Sequence, residues 1–206
     1  MNLADVGVQC HKCGVKFKSK QIPLIYDTGY RNSELRLYFG GAREQFEQYA
    51  VSTCPACGLA DWARAFPVTP DPVELNQARA TPHLQFRSAA IAAEREGRNF
   101  HSVGLFYLYA AWCADDVNAI PQAREYRRLA IDAFAKSLTD GTCPAPNRAE
   151  IEYLIGELLR RTGDFQNAID YLREVIPRLP GRYALMARRL MRLAQEGRID
   201  TIDFSD

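Results

Sequence analysis

The chain has 206 residues, 47% hydrophobic and 25% charged, and its 26 Lys and Arg against 25 Asp and Glu leave a formal net charge of +1. These values fit a folded chain of one domain or two small ones and exclude disordered, collagen-like and low-complexity classes. They also exclude a protein drawn onto nucleic acid by its total charge, so any phosphate-binding patch must be local.

Residues 1–9 lack the basic and apolar regions of a secretory signal, and the longest nearly apolar run, Val103 to Ala114, is too short for a bilayer core of about 30 Å. A cytoplasmic protein that does not engage membranes is expected. Val15 and Phe17 alternate with Lys16, Lys18 and Lys20, which predicts a short strand whose lysines guard an exposed edge. Leu35, Leu37 and Phe39 alternate with Arg36 and Tyr38 before a turn at Gly40-Gly41, and residues 49–53 form a third candidate strand running into Cys54. Such strands are too short to hold a large core by themselves. Pro67, Pro70, Pro72 and Pro82 mark a linker at 67–82. Beyond it the periodicity predicts helices over 84–96, 100–114, 121–138, 148–162, 165–177 and 181–196, broken at Gly97, Pro121, Asp140-Gly141, Gly163 and Pro180-Gly181. The expected class is mainly α with a small β-rich module over residues 1–66, a helical domain over 83–198 and an acidic tail over 199–206.

The module carries two copies of one pattern, Cys10-His11-Lys12-Cys13-Gly14 and Cys54-Pro55-Ala56-Cys57-Gly58. Cysteines three apart direct both sulfurs at one ion, and the glycine after each pair permits the turn that aims backbone N–H groups at the thiolates. Cys10, Cys13, Cys54 and Cys57 are therefore assigned as ligands of one metal per chain. Zinc is preferred, iron being the other ion that four thiolates accept. A closed four-coordinate site leaves no position for water, which makes the zinc structural. The 40-residue interval between the pairs exceeds that of a compact zinc ribbon, so something further is folded between them. Redox cysteines are disfavoured because a thioredoxin-like motif needs a single pair opening a helix after a strand.

Residues 149–180 resemble a tetratricopeptide repeat: Gly156 and Ala168 are small where two antiparallel helices approach, Ile155, Leu159 and Leu172 fill the space beside them, and Gly163-Asp164 joins the helices. Residues 100–138 resemble a degenerate first unit. Paired Cys-x-x-Cys-Gly knuckles ahead of a helical segment running from Tyr153 to Leu158 and from Arg160 to Phe165 also resemble a family of uncharacterised bacterial proteins, which implies architecture and a bacterial origin without an activity.

Glu150, Tyr153, Glu157 and Arg160 share one face of a helix, and in tetratricopeptide repeats the corresponding face lines the groove that binds peptides. They are the expected partner-binding residues, with a solvated helix face as the alternative. Arg178, Arg182, Arg188, Arg189, Arg192 and Arg198 against Glu196 alone form a local basic patch, read first as the polar face of a capping helix and second as a phosphate or acidic-partner site. Cys113 reads as a buried inert thiol, Cys143 as a loop thiol without a base, and His83 and His101 occur singly. The expectation is a non-enzymatic, zinc-stabilised adaptor that binds a protein or peptide, with a nucleic-acid-associated regulator as the alternative.

Overall fold

A computed structural model describes residues 4–21, 29–38 and 46–204. The chain is mainly helical, with small antiparallel strand pairs toward its N-terminal end. Strands β1 (Ala4–Gln9) and β2 (Lys16–Gln21) form one hairpin, β3 (Tyr30–Arg31) and β4 (Leu37–Tyr38) a second, and β5 (Val51–Thr53) and β6 (Ala60–Trp62) a third. On β2 the predicted alternation holds, with Phe17 and Ser19 buried and Lys16 exposed. The strand sought over 35–39 is only β4, because residues 32–36 form the tip of its hairpin; Phe39 and the Gly40-Gly41 turn lie outside the described residues.

The lysine-guarded edge is a correction. Segment 67–82 runs along both sides of the first hairpin: Gln9 N–H donates to the Pro67 carbonyl (2.8 Å), Thr69 N–H to Gly7 (2.9 Å), Lys18 N–H to Leu75 (2.7 Å) and Gln77 N–H to Lys18 (3.1 Å). The proline-marked stretch is thus a strap that pairs the open main-chain groups of β1 and β2. Lys16 bonds Asp71 on the strap, and Lys20 lies 5.5 Å from the ring of Tyr49.

The helices are α1 (Pro82–Arg95), α2 (Phe100–Asp116), α3 (Ile120–Thr139), α4 (Arg148–Arg161), α5 (Phe165–Val175) and α6 (Gly181–Gln195), each within two residues of its predicted bounds. Pro82 stands in the first turn, where its missing N–H costs nothing, and Asn99 caps α2 by accepting from Ser102 N–H (2.8 Å). Gly163, with φ of 83°, ends α4 and returns the chain into α5 after three residues. Close approach explains the glycine inside α4: a Cβ at Gly156 would stand 2.3 Å from Leu172 Cδ2. Ala168, the other small residue expected at this contact, is fully buried. Gly156→Ala is expected to cost about 1–3 kcal/mol by overpacking, measured as a lower melting temperature in the metal-loaded protein.

One core runs through the helices and takes in Leu35 from the tip of the second hairpin and Val51 and Ala60 from the third, with the ring of Trp62 stacked 4.4 Å from Phe106. Asp61 on β6 is buried and accepts both arms of Arg98 (2.8 and 2.6 Å) from the turn after α1. A smaller cluster of Val8, Phe17, Leu59 and Phe66 surrounds Cys10 and Cys54. The third hairpin is therefore packed onto α1 and α2, while the first is held by its strap and the cysteines.

Candidate metal centre

Each cysteine pair sits at the turn of a hairpin, and the two turns repeat one geometry. Gln9 pairs with Lys16 below the first, and Thr53 with Ala60 below the second. Gly14 N–H donates to Cys10 C=O (2.8 Å) and Gly58 N–H to Cys54 C=O (3.0 Å); Cys10 N–H and Cys54 N–H donate to Val15 and Leu59 (2.9 Å each). Gly14 and Gly58 close these turns at φ of 76° and 70°, a region that strains any side-chain-bearing residue. The hydroxyls of Ser19 and Ser52, 2.6 Å apart, join the two hairpins beside the site.

All four sulfurs lie within 4.8 Å of one another, with Cys10 to Cys57 at 3.7 Å and Cys13 to Cys54 at 3.6 Å. A tetrahedron of thiolates about 2.3 Å from a central zinc has edges of about 3.8 Å, so these separations fit an ion. They are too long for disulfides, and the cysteines are free. The electrostatics agree. Burial pushes the Cys10 thiol up, and burial together with the neighbouring sulfurs pushes Cys57 up to about 12. Cys13 is held down, chiefly by the backbone N–H of Val15. The Cys10 and Cys57 thiols resist ionising by themselves, whereas a cation bonded to all four sulfurs favours every thiolate.

The predicted partner-binding residues are also brought together, but not on an open face. Tyr153, Glu157 and Arg160 are fully buried and Glu150 is half-buried. Tyr153 donates its hydroxyl to Ser33 C=O (2.9 Å), and Ser33 donates its own to Glu157 (2.5 Å). Arg160 forks onto Glu157 (2.7 Å from Nε and from Nη2) and also reaches the carbonyls of Arg198 (2.6 Å) and Asp200 (2.8 Å). The expectation of a solvent-facing surface is thereby corrected. Helical spacing identifies residues that share a face, but here the 32–36 tip and the C-terminal segment cover that face.

Sequence reasoning missed the charges at this tip. Asn32 Oδ1 accepts from the N–H groups of Glu34 (2.9 Å) and Arg36 (3.1 Å), and Leu35 takes a φ of 61°, which folds the tip tightly. Glu34 accepts Arg127 Nε and Nη2 (2.6 and 2.9 Å), with Arg161 at 3.4 Å; Arg127 also bonds Asp115. Burial would raise the Glu34 carboxyl, but Arg127 and Arg161 outweigh it and hold it at about 2. Arg36 forks onto Asp116 (2.8 and 2.7 Å). No local motif marks these residues, whose partners are distant in sequence.

The basic patch divides. Arg178 pairs with Glu152 (3.2 Å), Arg198 with Asp200 (2.6 Å), and Arg182 lies 4.4 Å from the ring of Phe204. Arg188 and Arg192 are exposed with no partner among the described residues, and with Leu185, Met186, Arg189 and Met191 they line an open groove of about 770 Å³. Cys113 is buried and its thiol pushed up to about 12, and burial also raises Cys143, so neither thiol is activated. No helix among the described residues is long and apolar enough to cross a membrane.

Residues 70–198 match the model of a family described as uncharacterized proteins conserved in bacteria, DUF2225. The matched span includes the strap from residue 70 onward and all six helices. No curated protein and no solved structure showed significant similarity to the chain.

Proposed function

The chain belongs to the DUF2225 family of bacterial proteins, and we propose on that premise that it is a non-enzymatic, zinc-stabilised adaptor of the cytoplasm, built on tetratricopeptide-like helical hairpins. The observation that carries this reading is the outer face of α6. Leu185 is 62% exposed there, beside the half-buried Met191 and the exposed Arg188 and Arg192. An apolar centre rimmed by arginines suits an acidic protein surface, since arginine and large apolar side chains supply much of interface energy. The tight contact of Gly156 with Leu172 supports the repeat-like pairing of α4 with α5. Zinc at the four cysteines adds folding energy and leaves no open coordination position for chemistry.

The test is co-purification from the native host with wild type, Leu185→Asp and the double variant Arg188→Glu/Arg192→Glu as baits. A protein retained by wild type and reduced about tenfold or more by either variant is the expected result. Exposed Arg188 and Arg192 also suit phosphates. Retention of nucleic acid that falls steeply with salt and ignores Leu185→Asp would replace the adaptor with a nucleic-acid-associated regulator.

A further inference from the structure

Residues 198–204 lie across α4 as a peptide lies in a groove. Ser33 N–H donates to the Ile202 carbonyl (2.7 Å), Phe204 N–H to the Arg31 carbonyl (2.8 Å), and Ile202 N–H to Ser33 Oγ (3.2 Å), with Asn32 and Asp203 forming an antiparallel bridge. From the opposite side Arg160 takes the carbonyls of Arg198 and Asp200, and Arg161 that of Ile199. Among the side chains, Phe204 alone is fully inserted. It is 4% exposed, with its ring 5.5 Å from Tyr153, 5.7 Å from Tyr183 and 4.4 Å from the Arg182 guanidinium. Ile202 is half-buried, and Ile199, Asp200, Thr201 and Asp203 are exposed.

This is the chemistry of strand addition: main-chain bonds supply affinity and one pocket supplies selection. Nothing in it requires the strand to come from the same chain. We infer that the groove between the 31–33 segment, α4 and α6 is a peptide-binding site closed in cis by residues 198–204. In trans it accepts an extended segment of a partner protein that carries an aromatic residue two positions after an aliphatic one, with carboxylates nearby. The cis occupant has this composition, Ile202 and Phe204 flanking Asp203, with Asp200 upstream, and the guanidinium over its ring favours an aromatic side chain next to acidic groups.

The occupant is built to leave. It follows the helix-ending Gly197 (φ 68°), and of its side chains only Phe204 is fully inserted while Ile202 packs half-buried beside the core. Its departure strips partners from the buried Arg160 guanidinium and from Ser33 N–H, and groups left unpaired in this way favour a replacement strand. Arg189 borders both this site and the outer face of α6, but the inference does not rest on Leu185, Arg188 or Arg192.

The experiment uses the full-length chain and a labelled peptide of residues 197–206, with the Phe204→Ala peptide as control. The chain's own tail acts as a competitor at high effective concentration, so a full-length Phe204→Ala chain is expected to bind the wild-type peptide at least about tenfold more tightly than the wild-type chain does. It should prefer that peptide over the control by about tenfold. Equal binding of both peptides, or no binding by a variant that keeps its metal and melting transition, would overturn the inference. So would a concentration-dependent dimer that peptide does not perturb, which would make the occupant a second copy's tail. Hydrogen exchange on the wild-type chain decides the matter even where the variant fails to fold. Amides of 198–204 should exchange at least about a hundredfold faster than those of α4, and equal protection would mean a permanent structural strap.

Discussion

Cys54→Ser is expected to strip the metal from the chain and to lower its melting temperature by on the order of 10 °C or more. A structural zinc site contributes on the order of 10 kcal/mol, against a total domain stability of about 5–15 kcal/mol. The cysteines stand at the centre of what holds the first hairpin: Val8, Phe17, Leu59 and Phe66 close around them, and its other ties include main-chain bonds to the strap, the Lys16–Asp71 ion pair and the Ser19–Ser52 hydroxyl bond. Losing several kcal/mol in a chain of this size, where about 1 kcal/mol moves the transition by 2–4 °C, gives the stated shift. The long interval between the pairs does not threaten the site, since each doubling of a loop costs only about 0.6 kcal/mol. Elemental analysis beside a melting curve is the measurement, and one zinc per wild-type chain is the expected stoichiometry. A metal-free wild-type chain with an undiminished transition would defeat the assignment, while iron in place of zinc would change the ion and keep the ligands.

The parts that sequence reasoning reached are those encoded by neighbours. Each helix carries a local period, and all but α2, which gives way to Asn118 at φ of 56°, stop before a glycine or proline, so all six are legible, and each cysteine pair is a local motif whose hairpin turn its own glycine completes. The parts it missed are encoded by distant partners. β1 contains Gly7 and only a weak alternation, and the edge it does not share with β2 is paired by a strap far away in sequence. The prolines of that strap exclude helix, but they leave open whether the stretch hangs free or pairs with an edge. Arg36 reads as the solvated side of a strand and nothing in the sequence singles out Glu34, because their burial depends on Asp116 and Arg127 in the helical region. The face of Tyr153 and Arg160 was grouped correctly and read as open. Its cover is the 32–36 tip and the tail, which only the folded chain brings to the same place.

Arg127→Ala is expected to destabilise the protein by about 3–5 kcal/mol, because Glu34 is 1% exposed, Arg127 is 3% exposed, and removing one partner leaves a buried charge with only Arg161 at 3.4 Å. An exposed pair such as Arg173 with Asp170, 66% and 52% exposed, is expected to contribute about 0–1 kcal/mol by comparison. The difference lies in desolvation, which the buried pair has already undergone and the surface pair has not. Glu34→Gln removes the charge that needs a partner, so the double variant Glu34→Gln/Arg127→Ala should be less damaged than the sum of its singles, with a coupling of about 2 kcal/mol or more. The acid limb gives a second handle. The carboxyl sits at about 2 in the folded chain against an ordinary 4.5, so its stabilisation is complete above about pH 4.5 and is lost as pH falls through about 2. That shift corresponds to about 3 kcal/mol. The gap in stability between wild type and Glu34→Gln should therefore narrow below pH 4.5, metal release being common to both chains. Denaturant unfolding of the four chains at pH 7 supplies the cycle. Strictly additive singles, or a cost below about 1 kcal/mol for Arg127→Ala, would show that the 32–36 tip docks through the apolar contacts of Leu35 and that the ion pair contributes nothing to holding it.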